Sequence, residues 1–267
     1  MMSEPKEGYL KSGGYRVHYT LWGGTGPKLV FIHSMGMDAH SFETTYRVLL
    51  GEYQMLGLTI LDHGDSDTPK VSLTLPHHAE IMRDCYRQLG FEPNVLVGHS
   101  VGGMMGMILA ADHPEEHNGL VLVDIAPREG ERKHTRPPPP DHFASEDAAR
   151  AYFRERYPGF TEESVENRMK HGLKKDDEGR LTLKSNPTAM RPSLAHDLWP
   201  YAERILTPTL MILGSEITTV SPNVQERMRG LIPGIEIVTV EGATHMVPQD
   251  KPEEFEGHLR RFLGRVV

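Results

Sequence analysis

Short apolar runs alternate along the chain with segments whose apolar positions recur every three or four residues. Residues 15–22 (YRVHYTLW) change polarity nearly step by step, the period of a half-buried strand, and end at the Gly23-Gly24 turn signal. Residues 28–33, 53–61, 94–98, 119–124, 208–214 and 235–240 are short and mostly rich in strand formers. The last five of these suit the buried strands of a largely parallel sheet. Helical periodicity fills the intervals at 74–89, 101–113, 221–231 and 251–264, with Pro222 and Pro252 where a first helical turn tolerates proline. Strand and helix in regular alternation predict an α/β fold, a mostly parallel central sheet with helices on both faces.

One stretch interrupts the rhythm. Residues 126–200 carry no convincing strand, begin near the proline run RPPPPD at 136–141, and show helical patterns around 145–157 and 161–171. Prolines hold the entry extended. The expected organisation is therefore a core of residues 1–125 and 201–267 with a helical insertion at 126–200, in place of an extended surface loop.

Composition narrows the functional classes. Over 267 residues, 38% hydrophobic and 25% charged content suffices for a sizeable core. A formal net charge of −8 leaves nothing to attract phosphates, so neither nucleic acid nor an anionic membrane is an expected partner. Cys85 is the single cysteine, so no disulfide can form within the chain. The N-terminal residues lack the apolar core of a secretory signal, and no run reaches the length of a membrane span. These features set the expectation of a soluble, cytoplasmic protein, and none of them speaks to oligomeric state.

The sharpest chemical signal is Gly98-His99-Ser100-Val101-Gly102, between the predicted strand 94–98 and the predicted helix 101–113. A G-x-S-x-G sequence in a strand–turn–helix setting is a nucleophile elbow. The turn is so tight that side chains two residues before and after the serine would collide. Ser100 is thereby raised at the start of a helix whose free N–H groups favour negative charge, and the Val101 N–H becomes an oxyanion donor. A serine hydroxyl needs a base. Among 15 histidines, position selects His245, in the loop after strand 235–240 and before helix 251–264, at the strand end where parallel sheets build their sites.

With these residues in hand, the chain resembles the α/β-hydrolase superfamily, especially its small cap-bearing esterases, enol-lactonases and C–C-bond hydrolases. The likeness spans about residues 15–264 and includes HSMGMDAHSF at 33–42, LTILDHGDSDTP at 58–69, LVLVDIAP at 120–127 and GATHMVPQDKPEEF at 242–255. It implies a second oxyanion N–H from Met35. The chain departs from the family pattern at Ser34, Thr59, Leu61 and Thr244, which stand for Gly, Asp, Arg and Gly respectively.

The third member of a Ser-His-acid triad is less direct. The family acid usually follows the strand that is here 208–214, but Ile217 and Thr218 occupy those positions. Asp124, at the end of the preceding strand, is the favoured acid; Glu216 is the alternative, and a Ser-His dyad is a third arrangement. Ser34, His99, Met104, Trp199 and Met246 are candidate substrate contacts. Met35, Met37, Met104, Met105 and Met107 either line an adaptable acyl pocket or fill the core. Phe143, Phe153, Tyr157 and Met169, with Trp199, either face the substrate or hold the insertion together. His63, Asp65 and Asp67 carry no metal-site spacing, the mixed run 174–178 reads as a solvated turn, and no phosphate-binding loop is present. The expected reaction is hydrolysis of a small ester or lactone without a cofactor. The rivals are a C–C hydrolase or perhydrolase on the same scaffold and a non-catalytic ligand binder.

Overall fold

A computed structural model of the chain describes residues 5–127, 138–185, 190, 194–216 and 220–267. In chain order the strands and helices are β1 (Lys6–Ser12), β2 (Tyr15–Trp22), β3 (Lys28–Ile32), α1 (Glu43–Leu49), β4 (Gln54–Leu58), α2 (Leu75–Gln88), β5 (Asn94–His99), α3 (Val101–Asp112), β6 (His117–Val123), α4 (Glu146–Arg156), α5 (Glu162–His171), β7 (Leu173–Lys175), β8 (Leu181–Leu183), α6 (Trp199–Ala202), β9 (Thr209–Gly214), α7 (Pro222–Leu231), β10 (Glu236–Val240), α8 (Val247–Asp250) and α9 (Pro252–Val266). Eight strands form one sheet in the order β1-β2-β4-β3-β5-β6-β9-β10. The pairs β1/β2 and β2/β4 are antiparallel, and every pair from β4/β3 to β9/β10 is parallel.

Period-two side-chain alternation divides the core between the two faces of this sheet. On β3, Val30 and Ile32 join one cluster, with α2, α3 and α7, whereas Leu29 and Phe31 join the other, with α1 and α9. Helix α2 follows its amphipathic pattern: Leu75, His78, Ala79, Met82, Cys85 and Tyr86 are buried at spacings of three and four. The Thr74 hydroxyl accepts from the His77 N–H and caps its start. Helix α3 is buried all round apart from Asp112. It lies flat on the centre of the sheet, which its apolar sequence permits on every side. Among the described residues, no helix is long and apolar enough to cross a membrane.

Among the described residues, the structure departs from the expected elements in several places. A hairpin, β7 paired antiparallel with β8, lies inside 126–200, where no strand was expected. Its strands have three residues each, too short for a period to register. The run 174–178 forms the end of β7 and the turn, closed by the Asp176 carboxylate on the Glu178 and Arg180 N–H groups. Strand β1 and helix α1 also escape the pattern reading: β1 is a mostly exposed edge strand of mixed composition, and α1 is only seven residues long. Finally, β10 is an edge strand with only Val240 fully buried, not a buried one. The first two residues of the proline run, 136–137, lie outside the described residues.

Helices α4 and α5 and the hairpin share a small apolar cluster of Phe143, Ala149, Phe153, Val165 and Leu173. Phe143 and Phe153 are buried there, with Tyr157 and Met169 packed at its margin. Polar contacts tie this segment to the sheet-bearing part. The Arg168 guanidinium donates to Asp38 Oδ2 at 2.9 Å and to the Gly36 carbonyl at 2.9 Å. Asn167 Nδ2 donates to the His40 carbonyl, Ser164 Oγ to the Gln249 carbonyl, and Lys184 Nζ to Asp65.

Candidate active site

The site lies where β5 and β6 end side by side. Their register pairs His99 with Val123, and the Ser100 N–H donates to the Val123 carbonyl at 3.0 Å, so Ser100 and Asp124 leave adjacent strands together. Both residues turn sharply: Ser100 has φ 53° and Asp124 φ 42°, positive values that L-residues rarely adopt. At Ser100 the turn is forced by what flanks it. A Cβ on Gly98 would lie 2.5 Å from the Gly102 carbonyl oxygen, and one on Gly102 would overlap the Ile32 carbonyl. Only glycine at both positions lets α3 begin so close to β5 and β3. Ser100, partly exposed, occupies the N-cap position of α3, above the free N–H groups of its first turn.

His245 lies in the loop after β10, and its Nδ1 hydrogen-bonds Asp124 Oδ2. The Asp124 side chain is 0% exposed, whereas that of His245 is 27% exposed. A neutral or cationic imidazole donates from Nδ1 to such a carboxylate, which leaves Nε2 for other work. His99 supports the same loop from below, donating from Nε2 to the His245 carbonyl at 2.8 Å. Burial, then the neighbouring His245, drive the His99 pKa well below its ordinary value, so the ring is neutral and its Nε2 carries the proton.

Thr244, a departure from the family pattern, acquires a function in the same loop. Its N–H and hydroxyl both donate to Asp250 Oδ2, at 2.8 and 2.5 Å, and the Met246 N–H donates to its hydroxyl oxygen. Burial raises the Asp250 pKa while these Thr244 donors oppose the rise. Asp250 is a residue that sequence reasoning missed: nothing in its spacing announces that helix α8 folds it back onto the loop.

On the other side of Ser100 is the connection after β3. His33 is fully buried; the Ile60 N–H donates to its Nε2 at 2.9 Å, so Nδ1 carries the proton and donates to the Ser34 carbonyl at 2.8 Å. Burial pushes the His33 pKa down to about 3, which keeps the ring neutral and this pattern fixed. The Ser34 carbonyl also accepts from the Met37 N–H, so residues 34–37 form a turn with Met35 inside it. Thr59, another departure, bonds the Ala39 N–H and the His18 ring.

The remaining expectations fall in different places. Ser34 is buried with its hydroxyl 4.0 Å from Met246 Sδ, which links the loops on either side of Ser100. Met37, Met104, Met105 and Met107 are buried in the core, and Met35 is partly buried beside it. Trp199 is buried at the start of α6, with the Arg227 guanidinium over its ring at 3.6 Å from the centroid. Glu216 is exposed, its backbone N–H donating to the Ala243 carbonyl; positions 217–219, with Ile217 and Thr218, lie outside the described residues. His63, Asp65 and Asp67 turn to separate partners: the Leu61 carbonyl, Lys184 and Arg16.

Comparison with known proteins gives a consistent picture. A model of the alpha/beta hydrolase family matches residues 29–257. An sn-1-specific diacylglycerol lipase from Mus musculus is 28% identical over 258 residues, covering 89% of this chain and 81% of its own. A 2-(acetamidomethylene)succinate hydrolase from Mesorhizobium japonicum is 26% identical over 237 residues, covering 86% of this chain and 85% of its own. The crystal structure of an E-2-(acetamidomethylene)succinate hydrolase superposes with a TM-score of 0.87 at 23% identity, over 98% of this chain and 100% of that one. With its mostly parallel sheet, its glycine-flanked serine turn and a family match across most of its length, the chain belongs to the alpha/beta hydrolase family.

Proposed function

We propose that this protein is a serine hydrolase that cleaves carboxylic esters or lactones of small, largely apolar substrates through an acyl-enzyme. The observation that carries the reading is the hydrogen bond from His245 Nδ1 to the buried Asp124 carboxylate, at the strand end adjoining Ser100. In this reading His245 Nε2 takes the proton as Ser100 Oγ adds to the substrate carbonyl, and Asp124 stabilises the imidazolium. The Val101 and Met35 N–H groups hold the oxyanion. His245 then returns the proton to the departing alkoxide, and water, activated by the same imidazole, adds to the acyl-Ser100 ester and releases the acid.

Residues 126–200 act as a cap over the core 1–125 and 201–267, and the shape beneath that cap selects the acyl group. Met246 supplies apolar surface in this reading and Met104 and Trp199 stay in the core, while Ser34 and His99 hold the loops that carry Met35 and His245. The named activities of the two relatives, a lipase and a succinate-derivative hydrolase, agree with hydrolytic chemistry on the scaffold.

The test is hydrolysis of short p-nitrophenyl esters together with labelling by a fluorophosphonate. Wild type should turn over the esters and take up one label. Ser100→Ala should lose the label, and its rate should fall by about 10⁴ to 10⁶-fold. Equal turnover by the two proteins rules the mechanism out. Turnover of vinylogous diketones with inert esters would assign the scaffold to carbon–carbon bond cleavage instead.

A further inference from the structure

Glu7 on β1, His18 on β2 and His40 in the 3₁₀ turn Ala39–Phe42 bring three donor atoms within 4.8 Å of one another. The sheet register accounts for two of them. Glu7 pairs with Thr20 and Tyr9 with His18, so Glu7 and His18 are diagonal neighbours on one face of the β1/β2 ribbon. The turn following β3 delivers His40 to the same spot, with its ring stacked on His18 at 5.5 Å between centroids. His18 Nε2 lies 3.3 Å from Glu7 Oε2 and His40 Nε2 lies 3.2 Å from Glu7 Oε1, so each imidazole addresses its own carboxylate oxygen.

The far nitrogens are held as metal-ligating histidines usually are. His40 Nδ1 is 3.2 Å from Asp38 Oδ1, and His18 Nδ1 is 3.0 Å from Thr59 Oγ1. A carboxylate or hydroxyl on the second nitrogen fixes ring orientation and raises ligand basicity. His40 therefore stands between two carboxylates. Its Nδ1 proton satisfies Asp38, and the space between Nε2 and Glu7 calls for a cation, either a proton or a metal ion. Both imidazoles are nearly inaccessible, at 3% and 4% side-chain exposure, while Glu7 is 46% exposed and opens the cluster to water.

We propose that Glu7, His18 and His40 form a binding site for one divalent transition-metal ion, with solvent completing its coordination. Two imidazoles and one carboxylate are a donor set suited to zinc, and an open position is compatible with tetrahedral geometry. The ion would tether the edge strand β1 to the connection that carries Met35. It would also brace Asp38, whose other oxygen receives Arg168 from α5. Its effect is thus on stability and loop position. The proposal does not depend on the hydrolytic reading.

The experiment uses the untagged, metal-stripped full chain in a His113→Ala background, which removes a second group of close donors at His113, Glu115 and Glu116. Zinc binding is followed by calorimetry and by the thermal midpoint, and cobalt(II) by its visible absorption. The expected result is one ion per chain, a higher midpoint with zinc, and the intense cobalt bands of a low-coordinate nitrogen and oxygen site. Glu7→Ala and His40→Gln should each weaken binding by at least about 100-fold, and Thr59→Val by about 10-fold. Glu7→Ala changes an exposed side chain, and its metal-free melt verifies folding, so it decides the matter even if His40→Gln does not fold. Absence of stoichiometric uptake by the parent protein, or affinity within threefold of the parent in Glu7→Ala, overturns the site.

Discussion

At the scale of single residues, the site depends on what is missing from two positions and what is buried at a third. Gly98 and Gly102 have no room for a methyl group, because the nearest atoms are backbone and cannot rotate away. Gly102→Ala should therefore cost at least about 2 kcal/mol in urea unfolding, with ester turnover falling further than stability alone explains. A variant of wild-type stability and rate would refute the steric account. These glycines were legible because their spacing around a serine is a chemical signature as well as a steric one. The proposed acid was only partly legible, since Asp124 sits one strand earlier than the usual family position, and chain order alone could not choose between it and Glu216. The contact with His245 now separates their expected behaviour. Asp124→Asn should lower kcat by about 10³ to 10⁴-fold through loss of the preferred tautomer and of imidazolium stabilisation. Glu216→Gln, on the surface, should leave the rate within about twofold. Parallel rate measurements decide between them, and the reverse ranking would move the acid to Glu216.

At the scale of elements, long helices and the strands of the parallel sheet were readable, whereas β1, α1 and the three-residue strands β7 and β8 were not. Helices α2, α7 and α9 lie within two residues of their expected limits because their apolar spacing and proline starts agree, and α3 does so because the glycine-flanked serine turn fixes where it begins. The three-residue strands β7 and β8 had no period to show, and their pairing depends on a partner across a turn. The join between α5 and the β3–α1 connection was equally invisible, although Arg168 stands three residues from the buried Val165 on the inward face of its helix. That arginine and its partner Asp38 are both 3% exposed in their side chains, a buried ion pair in which loss of one partner leaves the other's charge uncompensated. Arg168→Met should destabilise the protein by about 3–5 kcal/mol, because it strands a buried carboxylate. Adding Asp38→Asn should recover much of the loss while keeping an acceptor for the His40 N–H. A double-mutant cycle with no coupling between the two positions would exclude this account. Thr244→Val tests the other loop: loss of the hydroxyl bond to Asp250 should lower kcat by up to about 10²-fold through displacement of His245, with the thermal midpoint little changed.

At the scale of the whole molecule, a sheet buried on both faces leaves several imidazoles without water, and this sets the response to acid. Burial holds the pKa of His33 at about 3, and those of His63, His78 and His117 at about 4. In the unfolded chain each returns to about 6.5. Between these limits the unfolded state binds the extra protons, so stability is fully present above about pH 6.5 and declines as the pH falls below it. Each of the four histidines contributes about 1.4 kcal/mol per pH unit in that window. Glu256 opposes them: burial raises its pKa to about 7, so the folded state holds a proton that the unfolded state releases above about 4.5. The balance is a loss of roughly 4 kcal/mol per pH unit between pH 6 and 5, enough to remove a stability of ordinary size within two to three units. Urea midpoints at pH 7.5, 6.0 and 5.0 should therefore fall steeply only in the acid half of the series. His78 isolates the cause, since its ring lies on the buried face of α2 and its Nδ1 has no hydrogen-bond partner among the described residues. His78→Leu should flatten the slope by about a third, and an unchanged slope in that variant would place the acid sensitivity elsewhere in the molecule.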